Sequence, residues 1–120
     1  MSLQLQMEQM PGYLAARFTG QGAADEIWRL FELIVEHCKR AECDKLLIDV
    51  TRLEGKSSVI EKYFAANESL IFARNGIQVA CVEKPERIDP RKFFVLVAQN
   101  RWVSIDVFTD FRAAEEWLLK

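Results

Sequence analysis

The chain has one histidine and three cysteines in 120 residues, and this scarcity removes several kinds of chemistry at the outset. Cys38, Cys43 and Cys81 are odd in number and lack C-x-x-C spacing, which argues against a disulfide framework and against a zinc site. Cys38 and Cys81 lie within apolar runs and read as small core residues. His37 has no serine or cysteine nucleophile set beside it by sequence, and Glu36 and Cys38 point in other directions on a helix. It suits the negative end of a helix dipole better than a catalytic or metal role. An excess of charge of one sign is also missing. The net charge of −2 offers no general attraction to nucleic acid or to an anionic membrane. Lys84, Arg87, Arg91 and Lys92 are interleaved with Glu83, Glu86 and Asp89, and together read as a solvated mixed-charge loop. No apolar run approaches membrane-spanning length. Met1–Glu8 alternates polar and apolar residues where a signal peptide would carry an apolar core. The expectation is a cytoplasmic protein with no membrane span, nucleic-acid partner, cofactor or metal.

What is present suits one globular domain. Half of the residues are apolar and 28% are charged, and a chain of this length buries roughly two-thirds of its unfolded surface without staples. Leu3, Leu5 and Met7 alternate as in a half-buried strand. Pro11-Gly12 marks a turn, and Tyr13–Phe18 reads as a second strand, broken by Gly20-Gln21-Gly22. Ile27, Leu30, Phe31, Ile34, Val35 and Cys38 recur at helical spacing over about Ala24 to Ala41. Lys45–Val50 is a short apolar run of the buried-strand kind. A loop follows at Arg52–Lys56. Ser58 with Glu61 has the form of a capping box, opening a helix that stops at Asn75-Gly76. Gln78–Val82 is a further strand. Phe93–Ala98 is ambiguous: its composition is β-like, but its flanks, with Pro90 in a first turn, fit a helix ending near Arg101. Ile105–Phe108 is a last strand. Asp110 can cap a final helix on which Phe111, Ala114, Trp117 and Leu118 share a face. The order β-β-α-β-α-β-α-β-α predicts an α/β fold: a five-stranded mixed, mainly parallel sheet, first strand antiparallel, with about four helices on both sides.

Three blocks in this order resemble the SpoIIAA-like group within the STAS and SEC14-type α/β fold. They are Leu46-Leu47-Ile48-Asp49-Val50, an apolar strand ending in Asp; Gln78-Val79-Ala80-Cys81-Val82; and Asp106-Val107-Phe108-Thr109-Asp110, followed by Ala113-Ala114 and Trp117-Leu118. The resemblance covers nearly the whole chain. It implies a protein-interaction module of the anti-anti-sigma type, controlled by phosphorylation of a serine that follows an Asp at the start of the helix after the central strand. The matching stretch here is Gly55-Lys56-Ser57-Ser58. Ser57 and Ser58 are therefore the regulatory phosphosite candidates, although Lys replaces the Asp and Ser58 has a capping role of its own. SEC14-type relatives imply instead an apolar ligand cavity.

The residues themselves add further candidates. Gly20-Gln21-Gly22 stands between a strand and a helix, where a phosphate loop would lie, but Asp25 replaces its third glycine and would repel a phosphate. Asp49, Asp106 and Asp110 stand at strand ends, where α/β sheets place ligands, and Asp49 can orient the loop after its strand through backbone N–H groups. Six consecutive apolar residues at Phe93–Ala98 sweep every face of a helix, so some must meet another element or a partner. Phe93, Phe94, Val97 and Trp102 are the interface candidates. The expected function is a non-enzymatic interaction or regulatory module whose partner is another protein or a second copy, as a homodimer. The alternative is a carrier for a small lipid or nucleotide, for which an apolar cavity lined by Phe64, Phe72 and Phe94 would speak.

Overall fold

A computed structural model describes residues 3–21, 24–54, 70–88, 91, 93–100 and 102–120, the side chains of 24–28, 93, 94 and 97 excepted. Its five strands are β1 (Gln4–Met10), β2 (Tyr13–Gly20), β3 (Lys45–Leu53), β4 (Gln78–Val82) and β5 (Ile105–Phe108). Four α-helices lie among the described residues: α1 (Ala24–Arg40), α2 (Leu70–Arg74), α3 (Phe93–Asn100) and α4 (Phe111–Leu118), with a 3-10 turn at Pro85–Arg87. The strands lie side by side in chain order, β1-β2-β3-β4-β5. β1 is antiparallel to β2 and the other pairs are parallel. The expected mixed sheet is thus found, and Phe93–Ala98 is helical.

A sheet that always grows in one direction through right-handed crossovers must carry the crossing helices on one face. α1, α2 and α3 accordingly share a core of Phe31, Ile34, Cys38, Phe72, Val95 and Ala98 with the inward residues of β2–β5. The rings of Phe18, Phe31 and Phe72 form its aromatic centre, at 6.5 Å between the first two and 5.1 Å between the last two. α4 follows the last strand and is free of that constraint. It covers the opposite face, where Ala114 and Leu118 bury Tyr13, Ala15, Leu47, Ala80 and Val82. Asp110 caps α4 as expected, accepting from the Arg112 N–H at 3.1 Å. Phe111 departs from the apolar face assigned to it and is 45% exposed. It is the first residue of α4 and lines a cleft over the ends of β1–β3 instead.

Two strands run further than their composition suggests. β2 extends through Gly20, and β3 through Leu53 rather than ending at Val50. After an irregularity between Arg17 and Thr19, the two strands pair again at Thr19–Arg52 and Gly20–Leu53. Polar residues continue a strand where a neighbour supplies the ladder.

The three helix-to-strand connections close alike. After α1, Cys43 N–H donates to Cys38 O and Glu42 N–H to Lys39 O; after α2, Ile77 donates to Phe72 and Gly76 to Ala73; after α3, Val103 donates to Ala98 and Trp102 to Gln99. Each is a Schellman motif, with a left-handed residue followed by an apolar one. The left-handed residues are Glu42, Gly76 and Trp102, at φ of 52°, 65° and 69°. Glycine accepts this backbone freely, whereas a side chain there crowds its own carbonyl.

Candidate functional site

Sequence reasoning directs attention to the carboxyl end of the sheet. On the face covered by α4, that helix is eight residues long and leaves the ends of β1–β3 open. A cleft of about 360 Å³ lies there, lined by Gln6, Arg17, Thr19, Asp49, Thr51, Arg52 and Phe111. Asp49 is not at a strand end: it lies inside β3 and is 4% exposed. Its Oδ1 accepts from the Thr51 N–H at 2.9 Å and the Thr51 hydroxyl at 2.7 Å. The expected hydrogen bond to backbone N–H is present, but it braces the strand rather than a loop. Arg17 is held by Glu8 at 3.3 Å.

Glu83 lies just beyond β4. It was expected in a solvated loop, yet it is 5% exposed. Its Oε1 accepts from the Lys84 N–H at 2.8 Å and faces Arg87 Nη1 at 3.6 Å. Burial raises its carboxyl above the ordinary value of 4.5, against the lowering effects of the Lys84 N–H and Arg87, while Asp49 pushes the same way as burial. The 3-10 turn at Pro85–Arg87 folds the loop back over Glu83, while Lys84, Glu86 and Arg91 are exposed as expected. The Glu83–Arg87 spacing was the one signal available. Nearby Cys81 is fully buried, and burial drives its thiol well above the ordinary range, as an inert core cysteine requires. Among the described residues, no three His, Cys, Asp or Glu side chains come together as a metal site would need.

Tyr13 ties the hairpin to α4. Its hydroxyl donates to Glu115 Oε2 at 2.6 Å, and burial followed by this bond pushes it from 10.0 up to about 12. A raised folded value means that its stabilising contribution is whole below pH 10 and lost as pH rises through about 12. Tyr13→Phe is expected to cost about 1 kcal/mol at neutral pH. The gap from wild type should close above pH 10 in urea melts. Buried Cys38, pushed up to about 11, titrates in both proteins and cancels in the comparison. A pH-independent gap would refute the assignment.

The amino end of the sheet, on the face covered by α1–α3, carries what sequence reasoning only half found. The three helix-to-strand connections meet there in a cleft of about 280 Å³, lined by Asp44, Ala73, Gly76, Ile77, Gln78, Trp102 and Ser104. Gln78 N–H donates to Asp44 O and Val79 N–H to Ser104 O, both at 2.8 Å. Trp102, expected to extend an interface, is 90% exposed. On α3, Val95 and Ala98 are buried and Leu96 is 53% exposed, so the apolar run does reach solvent. The side chains of Phe93, Phe94 and Val97, and all of Ser57, Ser58 and Phe64, lie outside the described residues. Phe72 is packed in the core and lines neither cleft.

No protein-family model and no curated protein matches the chain. Solved structures do. An anti-sigma factor antagonist from Mycobacterium paratuberculosis superposes with a TM-score of 0.66 at 15% identity, over 98% of this chain and 95% of that one. An uncharacterised protein of the DUF3478 family from Shewanella loihica, described as having a SpoIIAA-like fold, gives 0.59 at 21% identity, over 98% and 93%.

Proposed function

Because the chain has the SpoIIAA-like fold, we propose that it is a non-enzymatic protein-interaction module that docks its partner at the amino end of the sheet, around Trp102. The observation that carries this reading is the conformation and exposure of that residue together. Trp102 is left-handed at φ 69° and 90% exposed. A bulky residue in this region is an outlier, and an indole in water gains nothing from burial. Tryptophan is also the residue type most enriched among binding hot spots. That one of the superposable proteins is an anti-sigma factor antagonist supports a regulatory setting. Ser57 and Ser58, which follow β3 in sequence, enter the proposal as candidate phosphosites.

The test is a photo-crosslink. With p-benzoylphenylalanine in place of exposed Asn100, beside Trp102, irradiation in cells that carry the protein is expected to yield one discrete protein adduct. The adduct should disappear in Trp102→Gly and be absent with the probe at Glu116 on α4. An adduct with a second copy would make the homodimer the functional form. An adduct indifferent to Trp102, or none, would overturn the reading. The rival carrier reading has the 360 Å³ cleft beside Phe111 in its favour, and native mass spectrometry of freshly purified protein would reveal a retained small ligand.

A further inference from the structure

The cleft beside Trp102 has a chemistry of its own, and from it we infer that the site receives an arginine side chain of the partner, stacked on the Trp102 indole and paired with Asp44. This rests on the reading of Trp102 as a docking residue. Three observations lead to it.

The first is the comparison among the three connections. They are built alike, and at the same left-handed position they carry Glu42, Gly76 and Trp102. Gly76 meets the backbone requirement without strain, and a Cβ built on it meets nothing within 4 Å. The motif therefore needs no large side chain. Folding alone would favour glycine at 102, for backbone and for solvation alike. The indole's use lies outside the fold.

The second is the charge. Asp44, Gln78 and Ser104 occupy the same place in their respective connections, two residues past the left-handed one, and all three line the cleft. Among the described residues, Asp44 is the only ionisable group in the lining. It is exposed, and among the described residues its carboxylate makes no ion pair. Lys45, its neighbour in sequence, begins β3 and does not line the cleft. An aromatic face and an uncompensated carboxylate in one recess are complementary to a cation. Between the two cationic side chains, the guanidinium is favoured, since it can stack flat on an indole while its fork reaches a carboxylate.

The third is the size. At about 280 Å³ the cleft falls below the roughly 300–1,000 Å³ of pockets that enclose a drug-sized ligand. It suits one long side chain, with the apolar floor of Ala73 and Ile77 for the methylene stem and Gln78 and Ser104 for peripheral hydrogen bonds.

The experiment titrates isotopically labelled full-length protein with N-acetyl-arginine amide and follows its amide and indole N–H resonances. A saturable shift of the Trp102 indole and of the Asp44, Gln78 and Ser104 amides is expected. N-acetyl-citrulline amide, equal in shape but uncharged, should bind about tenfold more weakly, as should the arginine probe with Asp44→Asn. Trp102→Gly should abolish the response. Glu42→Gly, the same change one connection away, should leave it intact, and the spectra of all three variants report whether they are folded. Equal binding of citrulline, indifference to Asp44→Asn, or equal binding of N-acetyl-lysine amide would overturn the inference. A Trp102-dependent crosslink with an unresponsive titration defeats the arginine assignment alone. A responsive titration without a crosslink defeats the protein-partner reading alone.

Discussion

Phe72→Ala is expected to lower the stability of the protein by about 3–5 kcal/mol, the range for truncating a buried phenylalanine. Phe72 is 0% exposed and packs at 5.1 Å against Phe31, which in turn meets Phe18. Its ring thus ties α2 to α1 and, through Phe31, to β2. It also carries the carbonyl that accepts from Ile77 as α2 ends, so its side chain and backbone hold the same corner. Removing the ring leaves a cavity between elements that cannot close independently. Domains of this kind have a total stability of about 5–15 kcal/mol, so the variant should lose roughly a fifth of it or more. The readout is a urea melt whose midpoint falls while the slope is kept. A loss under 1 kcal/mol would place Phe72 outside the core.

Arg87→Ala carries the second large effect, with a pH signature. It strips the buried Glu83 carboxylate of its cation, and breaking such a pair from one side costs about 3 kcal/mol. The folded value of Glu83 is already raised by burial, and loss of Arg87 raises it further. Above the raised folded value Glu83 is charged in both folded and unfolded chains, and the folded state bears the whole penalty. As pH falls through the raised value the folded state takes up its proton first, and below the ordinary 4.5 the penalty is gone. The deficit of Arg87→Ala should therefore be largest above the raised value and shrink as pH falls toward the ordinary 4.5. In Glu83→Gln/Arg87→Ala most of the pH dependence of the deficit should vanish. A deficit constant with pH would show that Arg87 acts through packing alone.

The β/α order was legible because each element of the core has its own period: alternation at Leu3, Leu5 and Met7, helical spacing from Phe31 to Cys38, a largely apolar run at Lys45–Val50. The turns at Pro11-Gly12 and Asn75-Gly76 were legible from residue chemistry. Gly12 is left-handed at φ 86°, and a Cβ there would stand 2.8 Å from Leu119 Cδ2. What escaped were features set by neighbours distant in sequence. β3 continues through polar Thr51 and Arg52 because β2 pairs with them. Glu83 is buried because a turn folds over it, and Asp49 because the sheet surrounds it. The cleft at Trp102 assembles from three connections spread over Asp44 to Ser104, and spacing along the chain carries no trace of their meeting. Trp102, just past the apolar run at Phe93–Ala98, was the visible sign. It marked an interface candidate, while Asp44 went unremarked.

The strand order also bears on how the chain reaches its native state. Each strand pairs with the one made before it, so no pairing waits for a distant segment, and the sheet can be laid down as the chain leaves the ribosome. Every crossover adds one strand and one helix to an existing edge, and the loops to be closed stay short. α4 breaks that pattern. It comes last, returns across the other face, and ends with Glu115 against Tyr13 at the first hairpin. Until it docks, Ala15, Leu47, Ala80 and Val82 present an apolar surface to water. A chain truncated before residue 111 would hold a nearly finished sheet with one bare side, the species on which a chaperone or an aggregate would act.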